Sequence, residues 1–483
     1  MRIEAMALVL AATAAACGPG RSAHAPAAST PAACENVVQA AILPDGMVQD
    51  LGTVAVGTTA QFTIGAGVSE FVIVSQEVGT TAAAAVLAGT ILAPNAVVPT
   101  NLRSPSGALY YDDFAGWPTT TFSGTIPYPD TTGLLAFDAG FQPAVGIFPF
   151  PSTSAGLARL RAEGQVEPGT WTFTLNDWAN RCPLQSCAGG NEGGRYRVSV
   201  VTRPGALPGS GTLDVEVYLA TGSTSVLPSA AAAAASPQVA RWKQTLAAYL
   251  ANAGIALGQV TFHDVADDAK SRYAANGQVD VSSSDPCSAM SRLFTSAGLP
   301  RRAVSVFLAD VLVAPSSAGG AFKIVGVDGS IPGPSGFPGT IYSGAIVGLE
   351  DFGFETVRGA CARSAPVAIG SCGTDRTAYV AAHEIGHWLG LFHTTESDGT
   401  FFDPLGDTAP CPCHACAPTA AEQAACADVN PKGTSAVTNA WCVASASCGG
   451  GQNLMFWLLS DVYSTGAITP DQAQLMRLNP AVQ

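Results

Sequence analysis

Residues 383–393 read His-Glu-Ile-Gly-His-Trp-Leu-Gly-Leu-Phe-His, which is the pattern HExxHxxGxxH. His383 and His387 are four residues apart, so on a helix both imidazoles project from one face towards a single ion. Gly390 lets the chain leave the helix sharply, through a backbone conformation that a side chain would resist. This turn is expected to bring His393 round as a third ligand. Three neutral nitrogen ligands leave one position open, as in catalytic rather than structural zinc sites.

Glu384 follows the first ligand directly, where its carboxylate can reach a metal-activated water without binding the metal. It is therefore the expected general base, which takes a proton from that water and passes it to a leaving amine. A lone HExxH pattern is common by chance, but the extended form fixes five positions. The chain has six histidines, and half of them lie in this one segment. The flanking residues TAYVAA and WLGLF are apolar at helical spacing, which predicts a buried active-site helix.

At these residues the chain resembles the metzincin clan of zinc peptidases. Met455, in the segment NLMFW, is similar to the Met-turn that lies beneath the metal in that clan, and so supports the site together with Gly390. The segment HEIGHWLGLFHT, the later Asp407-Thr408, the Cys-rich insert and the closing ITPDQAQLMRLNP resemble the pappalysin family in particular. The resemblance covers residues 212–483. It implies a zinc-dependent endopeptidase that hydrolyses peptide bonds of extracellular or cell-surface proteins.

Three acidic residues, Asp398, Asp403 and Asp407, follow the zinc motif in a turn-rich stretch. Carboxylates are hard oxygen donors of the kind that calcium prefers. The pappalysin resemblance implies calcium binding near here, whereas a solvated acidic loop is the alternative interpretation. The predicted cofactors are therefore one catalytic zinc ion and, at this loop, calcium.

Trp457 departs from the pappalysin pattern, in which a tyrosine at this position lies near the zinc and helps to stabilise the oxyanion. An indole N–H can donate a hydrogen bond but cannot bind zinc. The departure supports an alternative function, a surface-binding lipoprotein that keeps zinc for structure and does not cleave. The intact Glu384 argues against this, because a structural site has no use for that carboxylate. A non-peptidase zinc hydrolase is a third interpretation, disfavoured because the extended motif and the Met-turn occur together.

The N-terminal residues predict export. Arg2 precedes a short apolar run, AMALVLAATAAA, which is too short to span a bilayer. The following Cys17 completes a sequence similar to a bacterial lipobox, so lipidation at Cys17 would anchor the mature chain to the cell envelope. The same alanines also fit an ordinary A-x-A cleavage site, so free secretion stays open. Residues 1–17 are assigned to this signal and 18–33 to a flexible tether.

Composition limits the classes of molecule that the chain is expected to bind. The formal net charge of -14 would be repelled by phosphate backbones, which excludes nucleic acid as a natural partner and leaves protein or peptide substrates. Contact with a membrane is expected only through the anchor at Cys17. Without Cys17 the chain keeps an even number of cysteines, and export makes disulfides their default state. Disulfides are therefore favoured over a second metal cluster at Cys411-Pro-Cys-His-Ala-Cys416, and also for Cys182 and Cys187. Oligomeric state is not encoded in any of these patterns.

The fold class predicted is multidomain, with an N-terminal antiparallel β-sandwich followed by an α/β (α+β) metzincin-like zinc peptidase domain. Residues 34–205 contain short runs near period two, bounded by turn residues, and form the sandwich, an accessory or pro-domain. In residues 212–483 strands alternate with helices, which are expected on one face of a sheet. One helix should start with Ser236 as N-cap and Pro237 at N1. The six alanines at 230–235 could extend this helix, but Pro237 favours a separate loop before it.

Overall fold

The computed structural model describes residues 6–7, 34–44, 46–81, 86–87, 90–91, 97–111, 144–177, 194–282, 287–298, 301–313, 324–352, 372–399, 402–430, 433–444, 448–459 and 465–483. The predicted lipidation site Cys17, the tether 18–33 and the pair Cys182 and Cys187 lie outside these residues. None of the described helices is both long and apolar enough to cross a membrane. The chain has mixed α/β content with several antiparallel sheets, which is compatible with a multidomain α+β protein.

Where it is described, the first part of the chain is mainly strands, with one helix. Its elements are β1 (Met6–Ala7), β2 (Cys34–Asn36), β3 (Val48–Ala55), β4 (Thr59–Ile64), β5 (Val68–Glu77), β6 (Gly79–Thr81), β7 (Val86–Leu87), β8 (Thr90–Ile91), β9 (Val97–Arg103), β10 (Leu109–Tyr111), β11 (Val145–Phe150), α1 (Ser154–Glu163), β12 (Gly169–Asp177) and β13 (Arg195–Pro204). Two four-stranded antiparallel sheets result, in the orders β10-β9-β12-β4 and β11-β5-β13-β3. Three short pairs are separate from them, β2 with β6, β7 with β8, and β1 with residues 458–459.

Aromatic side chains fill the space between these two sheets. Trp171 of β12 lies 5.2 Å from Phe71 of β5, centroid to centroid, and Tyr110 of β10 lies 5.3 Å from Phe150 of β11. Large aromatic rings bury much apolar area at once and so dominate a core of this size. Strand β5 is buried along its whole length, on both faces. One face meets the aromatic core, and the other must therefore be covered by the rest of the chain.

The second part of the chain alternates helices and strands around one larger sheet. Its elements are β14 (Gly211–Leu219), α2 (Ala230–Ala235), α3 (Pro237–Asn252), β15 (Ile255–Asp264), α4 (Asp267–Tyr273), a 3₁₀ turn (Ala275–Gly277), β16 (Gln278–Asp280), α5 (Ala289–Phe294), β17 (Ala303–Ala309), β18 (Val311–Val313), β19 (Gly326–Asp328), β20 (Ala345–Gly348), α6 (Gly373–Trp388), α7 (Cys413–Cys416), α8 (Ala420–Ala424), α9 (Asn439–Ala444), β21 (Leu458–Leu459) and α10 (Pro470–Leu478). The sheet has the order β15-β14-β17-β20-β19, and only β19 is antiparallel to its neighbour.

The start of α3 agrees with the prediction from local sequence, but the structure of residues 230–235 before it does not. Ser236 accepts a hydrogen bond from the Val239 backbone, and Pro237 is the first helical residue, as predicted. The prediction of a loop at 230–235 is wrong, since these alanines form α2. Alanine is the best helix former, and the Ser229 side chain caps the short helix. Pro237 therefore separates α2 from α3, but it does not prevent the alanines before it from forming a helix.

The prediction that helices cover one face of the sheet is also wrong. Helices α3 and α6 pack on the face that carries Val215 and Val306, within the main core. Helix α5 packs on the opposite face, where Phe294 lies 5.2 Å from Phe307 between ring centroids. Parallel strands are typically buried on both faces, and β17 (AVSVFLA) is apolar at nearly every position. The sequence of β17 therefore requires a cover on each side.

The two parts of the chain share an extensive contact. The loop residues Phe337, Ile341 and Tyr342 form a small core with the outer face of the sheet that contains β5. The Arg203 guanidinium donates to the Val482 carbonyl over 2.6 Å, close to the C-terminal residue. Arg161 of α1 pairs with Asp471 of α10 over 2.6 Å. The strand-rich part is thus fixed against the loop before β20 and against the last helix.

Candidate metal centre

Helix α6 carries three residues of the zinc motif, and every one of its residues is buried. The helix ends at Trp388, and Gly390 follows with a φ of +109°, which favours glycine. The Leu391 backbone N–H donates to the Gly386 carbonyl over 3.0 Å and closes the turn. The chain then reverses and places His393 beside the helix.

The three histidines lie together. The ring centroids are 4.6 Å apart for His383 and His387, 4.8 Å for His387 and His393, and 5.3 Å for His383 and His393. One ring nitrogen of each lies within 4.8 Å of the others, and the Nε2 atoms of His383 and His393 are 3.3 Å apart. All three side chains are at most 2% exposed. This is the arrangement expected of three nitrogen ligands around one ion.

The opposite nitrogen of each ring fixes its orientation. His383 Nδ1 lies 2.6 Å from the Leu454 carbonyl, and His387 Nδ1 lies 2.6 Å from the Leu391 carbonyl. A carbonyl can only accept, so in both rings Nδ1 carries the hydrogen and Nε2 keeps its lone pair. His393 Nδ1 lies 2.9 Å from a Glu396 carboxylate oxygen, which acts in the same way. Outer contacts of this type orient metal-binding histidines and make them more basic.

The charge states also suit metal binding. Burial lowers the pKa of His383 and His387 well below the usual value, and the neighbouring histidines lower it further. Both rings are therefore neutral, as a metal ligand must be. His387 Nε2 is buried and has no hydrogen-bond partner among the described residues. An unmet buried acceptor costs about 1 to 3 kcal/mol, which a bound cation would remove. The residues present therefore fit a zinc ion.

Glu384 lies on helix α6, directly after the first of the three histidines. Its side chain is fully buried, and neither carboxylate oxygen has a hydrogen-bond partner in the described part of the chain. Burial raises the pKa of Glu384 well above its usual value, and the nearby Asp328 raises it further. A Cβ atom on Gly326 would overlap both Glu384 Oε1 and Val380. The backbone of β19 thus passes directly over the carboxylate, and only glycine allows this approach.

Met455 lies beneath the helix. A Cβ atom on Gly386 would be 2.5 Å from Met455 Sδ, so the glycine inside the HEIGH segment makes room for the methionine. The Thr394 N–H donates to the Met455 carbonyl over 3.0 Å and ties the residue after the third histidine to the same turn. Tyr379 of α6 donates to the Leu454 carbonyl over 3.1 Å. The turn therefore supports His383, His393 and the helix together.

Sequence analysis did not single out Gly326, Asp328, Gly386 or Glu396. Gly386 occupies a variable position of the motif, and only its contact with Met455 shows its role. Glu396 is three residues after His393, and this spacing is the one local signal available. Gly326 and Asp328 are far away in the sequence and reach the site through the pairing of β19 with β20.

Trp457 does not point its indole N–H into the centre. Nε1 donates to the Val437 carbonyl over 2.8 Å, and the side chain is 2% exposed. Trp457 packs in a small core with Val437 and the buried cysteines of the Cys-rich segment. Its place in the chain is therefore explained by packing of that segment, and its N–H is already used.

The acidic loop residues are spread apart. Asp407 accepts hydrogen bonds from the Thr469 hydroxyl (2.9 Å) and the Asp471 backbone (2.8 Å), at the start of α10. Asp403 accepts from Gln472 Nε2 over 3.3 Å, and burial raises the pKa of Asp403 to about 8. Within the described residues these two carboxylates and Asp398 do not gather within 4.8 Å of one another. Calcium binding at this loop stays a prediction.

The Cys-rich segment is crosslinked. Its disulfides join Cys411 to Cys442, Cys413 to Cys426, and Cys416 to Cys448. Cys287 and Cys372 are also disulfide-bonded. Disulfides rather than a second metal cluster were predicted for this segment, and the pairing agrees with that preference.

No model of a known protein family matches the chain, and no curated protein matches it. The likeness to metzincins, and to pappalysins among them, thus rests on the motif residues themselves. The geometry of the histidines, of Glu384 and of the strand above them is what bears on function.

Proposed function

We propose that the chain is a zinc-dependent endopeptidase of the metzincin type, with His383, His387 and His393 as zinc ligands and Glu384 as general base. One observation carries the proposal. Three imidazoles are held by their Nδ1 atoms so that their Nε2 atoms converge, and beside them lies a buried carboxylate that has no hydrogen-bond partner among the described residues. A structural site needs the nitrogens but not the carboxylate.

Each residue then has a definite task. Zinc, when bound, supplies Lewis acidity and lowers the pKa of water at its open position. Glu384 accepts a proton from the attacking water and hands it to the nitrogen of the leaving amine. Its burial excludes bulk water that would compete for the proton. Leu454, Leu391 and Glu396 keep the imidazoles oriented throughout.

Strand β19 offers a place for an extended substrate. It is the last strand of the five-stranded sheet, and within the described residues its outer side has no partner strand. The edge strand of a sheet can pair with an extended peptide through backbone hydrogen bonds, and such a peptide would cover an edge whose own three residues are already buried. Because Gly326 of β19 lies directly against Glu384, a peptide paired there would run beside the base. This placement supports a peptide substrate over a small ester or amide.

The test is cleavage of an unstructured protein such as casein by the purified chain, with and without a zinc chelator. Glu384→Gln removes the base but keeps the shape of the side chain. We expect zinc to remain bound at one per chain in this variant while the cleavage rate falls by at least about 100-fold, the usual contribution of a general base. Full activity of Glu384→Gln, or of the chelated wild type, would contradict the proposal.

The alternative is a binding lipoprotein with structural zinc. It predicts zinc at one per chain and no cleavage of any protein by either the wild type or Glu384→Gln. The fact that Trp457 uses its N–H in packing removes one possible source of oxyanion stabilisation, which is the observation that favours this alternative. The Glu384 carboxylate, which has no hydrogen-bond partner in the described part of the chain, favours the peptidase.

We further propose an extracytoplasmic location, with residues 34–205 as an accessory domain and 212–483 as the catalytic domain. The contacts of Arg203 with Val482 and of Arg161 with Asp471 favour an accessory domain over a pro-domain that is cut away. The mass of the mature, active chain from a native host tests both the location and the accessory role of residues 34–205. A start at Cys17 with added acyl mass means a lipoprotein, and a start beyond residue 205 would contradict the accessory role.

A further inference from the structure

A second buried carboxylate faces the metal centre from the sheet. Side chains alternate along β19, and Val327 points into the core on the face that carries α5. Gly326 and Asp328 therefore point to the opposite face, towards α6. Gly326 confirms this direction, because a Cβ atom there would overlap Glu384. Asp328 lies two residues further along the same strand and so points at the same helix.

Asp328 is a buried carboxylate with an oxygen that lacks a hydrogen-bond partner in the described part of the chain. Its side chain is 5% exposed, and Oδ2 is buried without a hydrogen-bond partner among the described residues. Its charge interacts with His393 and with Glu384. The carboxylate is not part of the group of atoms within 4.8 Å formed by the three histidines. Asp328 thus belongs to the surroundings of the centre but is not one of its direct ligands.

Within the described residues, the charges around the site do not balance without an ion. When both are ionised, Glu384 and Asp328 bring two negative charges into a region shielded from water, and the neutral His383 and His387 bring none. Glu396 is a third carboxylate, but it is 28% exposed, so water screens part of its charge. Burying an ionised carboxylate without a counter-charge is very costly. A dication at the convergence of the histidines would offset the two buried charges.

We propose that Asp328 is the charge-balancing carboxylate of the metal centre, which acts with Glu384 to offset the two positive charges of a divalent ion held by the three histidines. This inference rests on the proposed zinc site. Asp328 positions and retains the ion through its charge, not through a bond. Its effect on the metal-free protein has the opposite sign, because without the ion the two carboxylates repel each other and remain unpaired.

Asp328→Asn tests the inference, since it removes the charge with little change in shape. The matched control is Asp268→Asn, which removes an exposed carboxylate from α4. Zinc affinity is measured by competition with a chromophoric chelator, and thermal unfolding is measured on the metal-free proteins. We expect Asp328→Asn to bind zinc about 10- to 100-fold more weakly, the range typical of lost outer-shell partners. We also expect its metal-free form to unfold at a higher temperature than metal-free wild type, while the control changes neither value.

The outcomes separate the two proposals. A wild-type chain that binds no zinc would overturn the proposed function and this inference together. A wild type that binds zinc, with Asp328→Asn binding equally well within threefold, would overturn the inference alone. A metal-free Asp328→Asn protein that unfolds earlier or fails to fold would also overturn it, because the carboxylate would then be a structural group of β19.

Discussion

Two regions of the molecule bring three potential metal ligands within 4.8 Å, and only one of them is suited to hold an ion. Among the described residues, His383, His387 and His393 form one group, and the Cys-rich segment holds two more, Cys411 with Cys416 and Cys448, and Cys413 with Cys426 and Asp428. In both Cys groups every sulfur is bonded to another sulfur, so no thiolate is available. In the His group outer contacts hold Nδ1 and leave Nε2 free. Proximity alone therefore does not define a metal site, whereas a free and oriented lone pair does.

The two regions are also physically linked. The Cys-rich segment follows the third histidine and ends just before the turn of Met455. The Cys411 N–H donates to the Thr395 hydroxyl over 3.2 Å, and the Val437 N–H donates to the Ser397 carbonyl over 2.8 Å. The crosslinked segment thus packs directly on the residues that follow His393. Its role in the centre is to hold the loop, and this differs from the role of a ligand.

The largest expected effect is on zinc binding in His387→Ala. This change removes an Nε2 atom that is buried and, among the described residues, has no hydrogen-bond partner, so the ion loses one of its three ligands. We expect a loss of zinc affinity greater than the roughly 10- to 100-fold typical of an outer-shell change. Chelator competition on the purified variant measures it.

The matched control comes from the other region. His414 lies in the Cys-rich segment and is hydrogen-bonded to Asp428. We expect His414→Ala to bind zinc as tightly as wild type. Equal losses in the two variants would mean that the two regions share metal binding, and the contrast between them would then be wrong.

A smaller effect is expected on stability when one crosslink is removed. The disulfide between Cys411 and Cys442 closes a loop with a sequence separation of 31. Loop-closure entropy predicts that Cys411→Ser with Cys442→Ser lowers the free energy of unfolding by about 3 to 4 kcal/mol. Zinc should still bind at one per chain at temperatures where the variant is folded. Denaturant unfolding together with metal analysis measures both quantities.

Loss of zinc without loss of stability would contradict the assignment of Cys411 and Cys442 as a structural disulfide. Loss of zinc in the double serine variant with unchanged stability would identify these cysteines as ligands. Loss of both would mean that the crosslinked segment and the histidine centre form one cooperative unit.

Sequence alone locates the centre because its main parts are local. Four residues of the motif lie within one helix and one turn, and helical spacing is enough to bring His383 and His387 to the same face. Met455 is distant, but its position was available from the resemblance. The start of α3 was equally predictable, since Ser236 and Pro237 are local signals.

The other parts of the site depend on contacts between distant segments. Asp328 reaches α6 only because β19 pairs antiparallel with β20, and no periodicity shows this pairing in advance. The two faces of the central sheet are a similar case, because an apolar strand such as β17 does not say which helix covers it. Asp407 is a different case, since the local acidic pattern predicts calcium there, and the structure adds that its oxygens accept hydrogen bonds from the start of α10.

The smallest expected effect concerns the contact between Gly386 and Met455, which no spacing argument revealed. Gly386→Ala adds a Cβ atom 2.5 Å from Met455 Sδ, and such overpacking costs about 1 to 3 kcal/mol. Replacing a glycine within a helix by alanine stabilises the helix by roughly 1 kcal/mol. The net loss in the free energy of unfolding should therefore be about 1 kcal/mol. In a Met455→Ala background the overlap is gone, and the same change should stabilise the protein. A double-mutant cycle by thermal unfolding measures this coupling. An equal effect of Gly386→Ala in both backgrounds would show that the glycine does not make room for Met455.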